Sequence, residues 1–174
     1  MKAADKKPEY MTSLYGDRMV PKTEGRIVFR GVIDTLEAEV IEAQVLASDL
    51  GDMAICGNLG EILDFLRAIM AAEVKEMPLQ PPFLFGMDLE EIHRRSYTTE
   101  WRGITLPCYT QGPIAARLNT LRTKIREAEL LAVKVFGPDE HSPDEHSQRE
   151  DIILALNRLS SALWWLYCEH TCHR

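Results

Sequence analysis

The most constraining feature of the sequence is the strict helical periodicity of residues 113–136. Apolar side chains recur there at steps of three, four, three, four and three residues: Leu118, Leu121, Ile125, Ala128, Ala132 and Val135. This spacing places one apolar stripe along a helix, and such a stripe has to be covered by other helices. Gly137 and Pro138 follow directly and predict the end of the helix.

Three further segments show a helical pattern, and a shorter one opens at Asp88. The longer predicted helices span residues 27–50, 58–77 and about 149–170, the second beginning with a capping box of Asn58 and Glu61. No convincing strand alternation is present. The predicted fold class is an all-α five-helix bundle, with residues 21–174 as one domain and residues 1–20 as a flexible N-terminal segment.

Composition excludes several classes of protein. The chain of 174 residues carries a formal net charge of −7, which argues against nucleic acid as the main partner. No apolar run approaches the roughly 18–20 residues that cross a bilayer, and the N-terminus lacks the apolar core of a signal peptide. The four cysteines are therefore interpreted as reduced thiols of a cytoplasmic protein, with no membrane partner.

A charged stripe lies beside the apolar one on the 113–136 helix. Arg122, Arg126 and Glu129 stand at positions i, i+4 and i+7. The two arginines repel each other by a few tenths of a kcal/mol, which a carboxylate or a phosphate-bearing ligand would offset. The alternative is a solvated charged face that also includes Lys124 and Glu127.

Two polar residues interrupt apolar segments of other predicted helices. Asp34 stands within residues 31–36, where an unpaired carboxylate would be costly. Asn157 follows the apolar run 152–156 and needs a hydrogen-bonding partner, either internal or a ligand. A polar residue that only sets the register of a bundle is the alternative for Asn157.

Together these segments resemble the ATP:corrinoid adenosyltransferases, most of all the ethanolamine-utilisation type and also the related propanediol-utilisation type. Residues 19–26, MVPKTEGR, are similar to the family's R/M-V-P/A-K-x-D-P-R segment, and residues 29–34, FRGVID, to its G-x-V/L-D helix start. Residues 121–129, LRTKIREAE, match its R-x3-R-x2-E signature, and residues 151–161 contain the L-N-R-L-S-S of the ethanolamine branch. Residues 86–94 also resemble that branch, and the likeness covers roughly residues 18–167.

The resemblance implies a helical bundle that trimerises, with ATP bound between subunits. It implies transfer of the 5′-deoxyadenosyl group of ATP to cob(I)alamin, which gives adenosylcobalamin and triphosphate, with Mg²⁺ on the triphosphate and a cobalamin reductase supplying Co(I). The site residues that it implies are Lys22 for phosphate, Arg126 and Glu129 for ATP, Asn157 for placing ATP, and Arg122 paired with Asp34 across the subunit interface. Residence in an ethanolamine microcompartment stays open.

Two departures from the family pattern affect the prediction. Residues 12–17, TSLYGD, only partly match the T-R-x-G-D-x-G-x-T loop that wraps triphosphate, so Thr12 and Ser13 are its remaining candidate contacts. A non-catalytic corrinoid or nucleotide carrier, or a purely structural bundle, therefore remains as an alternative. No cysteine precedes Cys56, whereas ethanolamine-type members often carry an N-terminal cluster of His and Cys, so no protein-bound metal is predicted.

Other residues receive weaker interpretations. The family packs an apolar wall against the lower face of the corrin, and the candidate aromatic residues are Phe83, Phe85, Tyr97, Trp101 and Tyr109. The alternative for each of them is ordinary packing in the core or a loop, which is the commoner role of an aromatic side chain. His93 is predicted to be a hydrogen-bonded structural residue, with a corrin-facing role left open. The Cys- and His-containing tail, residues 168–173, is interpreted as a frayed terminus, and the tandem PDEHS repeat, residues 138–147, as a solvated loop.

Overall fold

The computed structural model describes residues 7–98, 106–138 and 148–172 and contains five α-helices in that part of the chain. They are α1 (Gly25–Asp49), α2 (Met53–Val74), α3 (Leu89–Ser96), α4 (Gly112–Phe136) and α5 (Glu150–Cys172), and a single 3-10 turn (Tyr109–Gln111) precedes α4. The predicted mostly helical bundle is confirmed. No helix of the described residues is long and apolar enough to cross a membrane.

Helix α4 lies between α1 and α5, while α2 packs on α1 and α3 packs on α5. The predicted apolar stripe of α4 forms the centre of the core, where Leu121, Ile125, Ala128 and Ala132 have no exposed surface. The ring of Phe136 meets that of Phe29 edge to face, with 5.1 Å between centroids, and closes the core where α1 begins and α4 ends.

The helix ends follow local capping chemistry. The side chain of Asp52 accepts a hydrogen bond from the Ile55 amide at 3.1 Å and starts α2 at Met53, so the predicted capping box of Asn58 and Glu61 is wrong. Glu61 instead accepts from the backbone amide of Phe85 at 2.5 Å. The predicted start of a shorter helix at Asp88 is confirmed: Asp88 is the N-cap of α3, and its carboxylate accepts a hydrogen bond from the Glu91 amide at 2.8 Å.

The N-terminal segment contains a β-hairpin, where the sequence pattern predicted no strand. Strand β1 (Met11–Tyr15) pairs antiparallel with β2 (Arg18–Pro21), and Gly16 turns the chain with a φ of 50°. Leu14 and Val20 are its buried residues. With one inward-facing apolar residue in each strand, the alternation is too short to be recognised in the sequence.

A buried ion cluster, here called the arginine clamp, joins the start of α1 to the end of α2. It consists of Glu73, which has no exposed surface, and of Arg26 and Arg30, which bind its two carboxylate oxygens. The Arg26 Nε to Glu73 Oε1 distance is 2.5 Å, and Arg26 also pairs with Glu76 at 2.8 Å. Burial opposes the charge of Arg26, but the hydrogen bonds to Glu76 and Glu73 outweigh burial and raise the pKa of Arg26. Arg30 Nη1 also donates to the carbonyl of Leu14 and so ties the hairpin to the bundle.

Candidate functional site

A cavity of about 320 Å³, here called the α4–α5 pocket, opens between α3, α4 and α5. The residues that line it combine two arginines with hydroxyl and apolar side chains: Ser96, Tyr97, Leu106, Pro107, Arg122, Arg126, Ser160, Ser161 and Trp164. Arg122 and Arg126 face this cavity because their i, i+4 spacing puts them on the same side of α4.

Arg122 is held in the α4–α5 pocket by an aromatic ring and an amide, and none of the described residues gives it an acidic partner. Its guanidinium lies over the Trp164 ring, 5.5 Å from the ring centroid, and donates to Oδ1 of Asn119 at 3.1 and 3.2 Å. Burial, and then the charge of Arg126, lowers the pKa of Arg122. Among the described residues no carboxylate pairs with either arginine, so the repulsion predicted from their spacing is not offset there.

Glu129 and Asn157 meet directly, as expected if both serve one site. Nδ2 of Asn157 donates to Oε1 of Glu129 at 2.9 Å and bridges α4 and α5. Glu129 lies one turn after Arg126, and Asn157 lies one turn before Ser160 and Ser161, so this pair lies next to the α4–α5 pocket along the two helices. The pocket and this pair together are called the α4–α5 groove.

Several site residues were not singled out by the sequence analysis. Ser160, Ser161 and Trp164 follow Asn157 at helical spacing, so projecting the pocket-facing side of α5 forward from Asn157 would have found them. Arg158 donates to Oδ1 of Asn157 at 2.7 Å. His93 is hydrogen-bonded as predicted, with Nδ1 3.1 Å from Oγ of Ser161.

Asp34 does not occupy the buried position that its apolar neighbours suggested. It lies exposed on the outer face of α1, between the buried residues Ile33 and Leu36, so the argument that its carboxylate is costly in the folded chain is wrong. In the part of the chain that the structure describes, it forms no ion pair with Arg122. A pair between Asp34 of one subunit and Arg122 of another stays a prediction.

The N-terminal candidates lie with the hairpin, at the end of α4 that carries Val135 and Phe136. Lys22 is exposed, Ser13 donates to the carbonyl of Gly16 at 2.8 Å, and Thr12 belongs to β1. Gly25 packs against Val135, which lies nine residues, or about 13 Å, along α4 from Arg126. Within the described residues no hydrogen bond or ion pair joins Thr12, Ser13 or Lys22 to the α4–α5 pocket.

The candidate corrin-facing aromatics occupy different environments. Tyr97 lines the α4–α5 pocket and is 78% exposed, whereas Phe85 stacks on Trp165 with 5.3 Å between ring centroids. Phe83 and Tyr109 are exposed on the surface. Trp101 lies outside the described residues, as do His141 and His146 of the tandem repeat.

The C-terminal segment is helical through Cys172, so its interpretation as a frayed end is wrong for residues 168–172. Cys168 is buried, and burial raises the pKa of its thiol to about 12. His170 is also buried, with Nδ1 3.4 Å from a carboxylate oxygen of Asp52. His173 lies outside the described residues. Within the described ranges, no three His, Cys, Asp or Glu side chains are grouped to hold a metal ion, and the expectation of no resident metal stays a prediction.

Comparisons with a protein-family profile and with individual proteins point to the same family. The sequence profile of a family described as cobalamin adenosyltransferase matches residues 3–170. The corrinoid adenosyltransferase EutT of Salmonella typhimurium is 34% identical over 162 residues, and EutT of Escherichia coli K12 is 33% identical over the same length. Each alignment covers 91% of this chain and 58% of the relative, so the chain spans less than two thirds of the length of these relatives. No solved structure is significantly similar to the chain.

Proposed function

Since the chain belongs to the cobalamin adenosyltransferase family, we propose that it transfers the 5′-deoxyadenosyl group of ATP to cob(I)alamin, forming adenosylcobalamin and releasing triphosphate. The observation that supports this most is the pair Arg122 and Arg126, which line one cavity without a carboxylate partner among the described residues. Guanidinium groups bind phosphate oxygens well, and two of them side by side suit a polyphosphate better than a single anion.

No protein side chain has to form a covalent bond in this reaction, because Co(I) is the nucleophile. The electron pair of Co(I) attacks C5′ of ATP, the C5′–O bond breaks, and triphosphate leaves with the bonding electrons. The protein has to hold C5′ against cobalt and stabilise charge on the leaving group. We assign the second task to Lys22 and Arg126, assisted by Arg122, and the placement of ATP to Glu129 and Asn157. Trp164 covers Arg122 and shields its charge from water, which strengthens its attraction for phosphate.

The proposed reaction also uses Mg²⁺, bound to the phosphates of ATP, and a reductase that produces Co(I). Phosphate oxygens of ATP would supply most ligands of Mg²⁺, which neutralises part of the phosphate charge when bound. Glu129 suits this ion, because its Oε2 accepts no hydrogen bond from the described residues. The exposed apolar side chains of Tyr97 and Leu106 at the rim of the α4–α5 pocket would face the corrin. A separate cobalamin reductase would deliver the electron that makes Co(I).

We further propose a homotrimer in which two subunits complete each site. The two groups of site residues, Thr12, Ser13 and Lys22 on one side and the α4–α5 groove on the other, are not joined within one described chain. The outer face of α1 offers an uncovered surface beside Asp34, where Ile41 and Val45 are exposed by 44% and 55%. Sedimentation should give a mass of about 59 kDa, three times the 19.8 kDa of the chain. A monomer or dimer at micromolar concentration would contradict the trimer.

Mixing two inactive variants tests whether the sites are shared. Lys22→Ala and Arg126→Ala each damage one group of site residues. If every site takes its two groups from different subunits, random mixed trimers contain about one intact site in four and regain that share of activity. Mixing should restore nothing if both groups act within one chain, and two batches of the same variant are the control.

Conversion of cob(I)alamin to adenosylcobalamin on addition of ATP, followed by absorbance, tests the activity itself. The wild-type chain with Mg²⁺ should give the adenosylcobalamin spectrum and release one triphosphate for each cofactor formed. Arg126→Ala should lose this activity, whereas Arg67→Ala, which removes an exposed arginine of α2, should retain it. Binding of ATP or cobalamin without turnover would favour the non-catalytic carrier.

The metal expectation and the location each have a simple test. Activity should return after chelation when Mg²⁺ alone is restored, and a need for zinc or iron would contradict the prediction of no protein-bound metal.

We propose a cytoplasmic location. A fluorescent fusion expressed with and without microcompartment shell proteins would show whether the protein enters such a compartment.

A further inference from the structure

Arg158 makes three hydrogen bonds with two different partners. Its Nε and Nη2 donate to the two carboxylate oxygens of Glu90 on α3, at 2.9 and 3.3 Å. This side-on pairing leaves Nη1 for Oδ1 of Asn157, at 2.7 Å. The Arg158 side chain is only 15% exposed, so its position is fixed by packing as well as by Glu90.

The contact with Arg158 determines which way the Asn157 amide can face. A side-chain amide has an acceptor oxygen and a donor nitrogen on opposite sides, and exchanging them costs little unless neighbours discriminate. Here Oδ1 faces a guanidinium and Nδ2 faces the carboxylate of Glu129. In the reversed orientation, oxygen would face the carboxylate and N–H would face the cation, so both contacts would become repulsive.

We propose that Arg158, anchored by Glu90, is a positioning residue that holds the Asn157 amide in the orientation that donates to Glu129. One N–H of Asn157 is then used by Glu129 and the other is available. Oε2 of Glu129 accepts no hydrogen bond from the described residues. The groove thus presents one donor and one acceptor side by side, in a fixed arrangement, to the ligand. The relevance to ATP rests on the function proposed above, whereas the orientation of the amide does not.

The first test measures the amide directly in the ligand-free protein. In the wild-type chain, the Asn157 side-chain N–H that donates to Glu129 should resonate downfield and exchange slowly with water. Arg158→Met keeps the aliphatic stem and removes the donors, so this signal should move toward the position of a free amide. Arg158→Lys should behave in the same way, because one ammonium cannot reproduce both the fork on Glu90 and the bond to Asn157.

Arg94→Met is the matched control for the amide measurement. It removes a bidentate pair with Glu91 on the same helix, α3, with distances of 2.9 and 2.7 Å, and leaves Arg158 intact. The Asn157 signals should not move in this variant. Unchanged Asn157 signals in a folded Arg158→Met or Arg158→Lys protein would overturn the positioning role. Should Arg158→Met fail to fold, Arg158→Lys and Glu90→Gln provide the same measurement.

The second test asks whether the orientation matters to ATP. Calorimetric titration should show ATP binding about tenfold weaker in Arg158→Met, as for the loss of one well-placed hydrogen bond. In an Asn157→Ala background the same change should have no further effect, because no amide remains to be oriented. Full additivity of the two changes would contradict an action through Asn157. If the wild-type chain binds no ATP, the proposed function fails, and the ligand-free amide measurement still decides the positioning role.

Discussion

At the start of α1, Arg26 and Arg30 close on the buried carboxylate of Glu73, whereas Arg122 and Arg126 face a cavity with no carboxylate partner in the described chain. Both pairs have the same i, i+4 spacing. The arginine clamp satisfies its charges internally, and its contribution is to the stability of the α1–α2 contact. In the α4–α5 pocket the described chain supplies no carboxylate to either arginine, which supports the phosphate-binding role proposed for this pair. The partners of an arginine pair therefore distinguish the two roles better than its spacing does.

The largest expected effect is on the stability of the arginine clamp. Glu73→Gln leaves two partly buried guanidinium groups without their carboxylate and should lower the free energy of unfolding by about 3–5 kcal/mol. Urea denaturation at one fixed protein concentration measures this change. Asp64→Asn, which removes a contact with Arg67 between two exposed side chains, should change the same quantity by less than about 0.5 kcal/mol. A loss below about 1 kcal/mol for Glu73→Gln would remove the distinction between the two arginine pairs.

The next effect concerns the ligand. Arg126→Ala should weaken ATP binding by about 2–4 kcal/mol, since it removes a charge-assisted contact to phosphate. The free energy of unfolding should change by less than about 0.5 kcal/mol, because Arg126 has no ion pair in the described residues. Calorimetry and urea denaturation on the same preparation separate the two quantities. Unchanged ATP affinity would exclude Arg126 from the site.

A smaller effect tests the predicted pair between subunits. Asp34→Asn and Arg122→Ala should each lower kcat/KM, and the double variant should lose less than the sum, with a coupling energy of about 1 kcal/mol or more. The physical reason is that a carboxylate from a neighbouring subunit would relieve the repulsion between Arg122 and Arg126. Stability and kcat/KM are measured for all four proteins of the cycle. Strictly additive losses would show that the two residues do not interact.

The smallest effect depends on pH and concerns an ion pair of intermediate exposure, Arg149 with Asp151. Burial opposes the charge of Asp151, but hydrogen bonds from Arg149 and the Leu79 amide outweigh it and lower the pKa of Asp151. Its contribution to stability is therefore present above the unfolded pKa of about 3.9 and is lost as pH falls through the folded pKa.

The corresponding variant is Asp151→Asn. It should be less stable than the wild type by under about 1 kcal/mol at pH 7, because the carboxylate is 29% exposed. The difference should shrink on going from pH 5 to pH 3 in urea denaturation. A difference that does not depend on pH would mean that the charge of Asp151 contributes nothing.

The helices of the core were predictable because apolar periodicity and capping depend on residues that are close together in the sequence. The stripe of α4 repeats at three and four residues, and all of it is buried as expected except Val135, which is partly buried. The helix ends at Gly51, Asp88 and Gly137 follow from capping preferences. The start of α2 was misplaced because Asn58 and Glu61 also satisfy the capping pattern, while Asp52 is the residue that binds a free amide. Two candidates with the same local chemistry cannot be separated without the packing of the chain.

The residues that were misjudged depend on partners far away in sequence. Asp34 has apolar neighbours, but the helix turns it outward while Ile33 and Leu36 face the core. Glu73 gave no signal, since its partners lie 43 and 47 residues earlier. Glu129 and Asn157 were each predicted as site residues, Glu129 from the charged stripe of α4 and Asn157 because it follows an apolar run of α5, and the packing of α4 on α5 brings the two side chains together.

The hairpin of residues 11–21 should open more often than the helical bundle. Its two strands pair with each other alone in the described part of the chain, so it can open by losing one short ladder, the burial of Leu14 and Val20, and the Arg30 contact. Its amide protons should therefore exchange with solvent far more often than those of α4, whose exchange requires unfolding of the bundle. A ligand that contacts the hairpin would slow amide exchange there and leave the exchange of α4 unchanged. Ligand binding would therefore be measured as a lower amide exchange rate in residues 11–21.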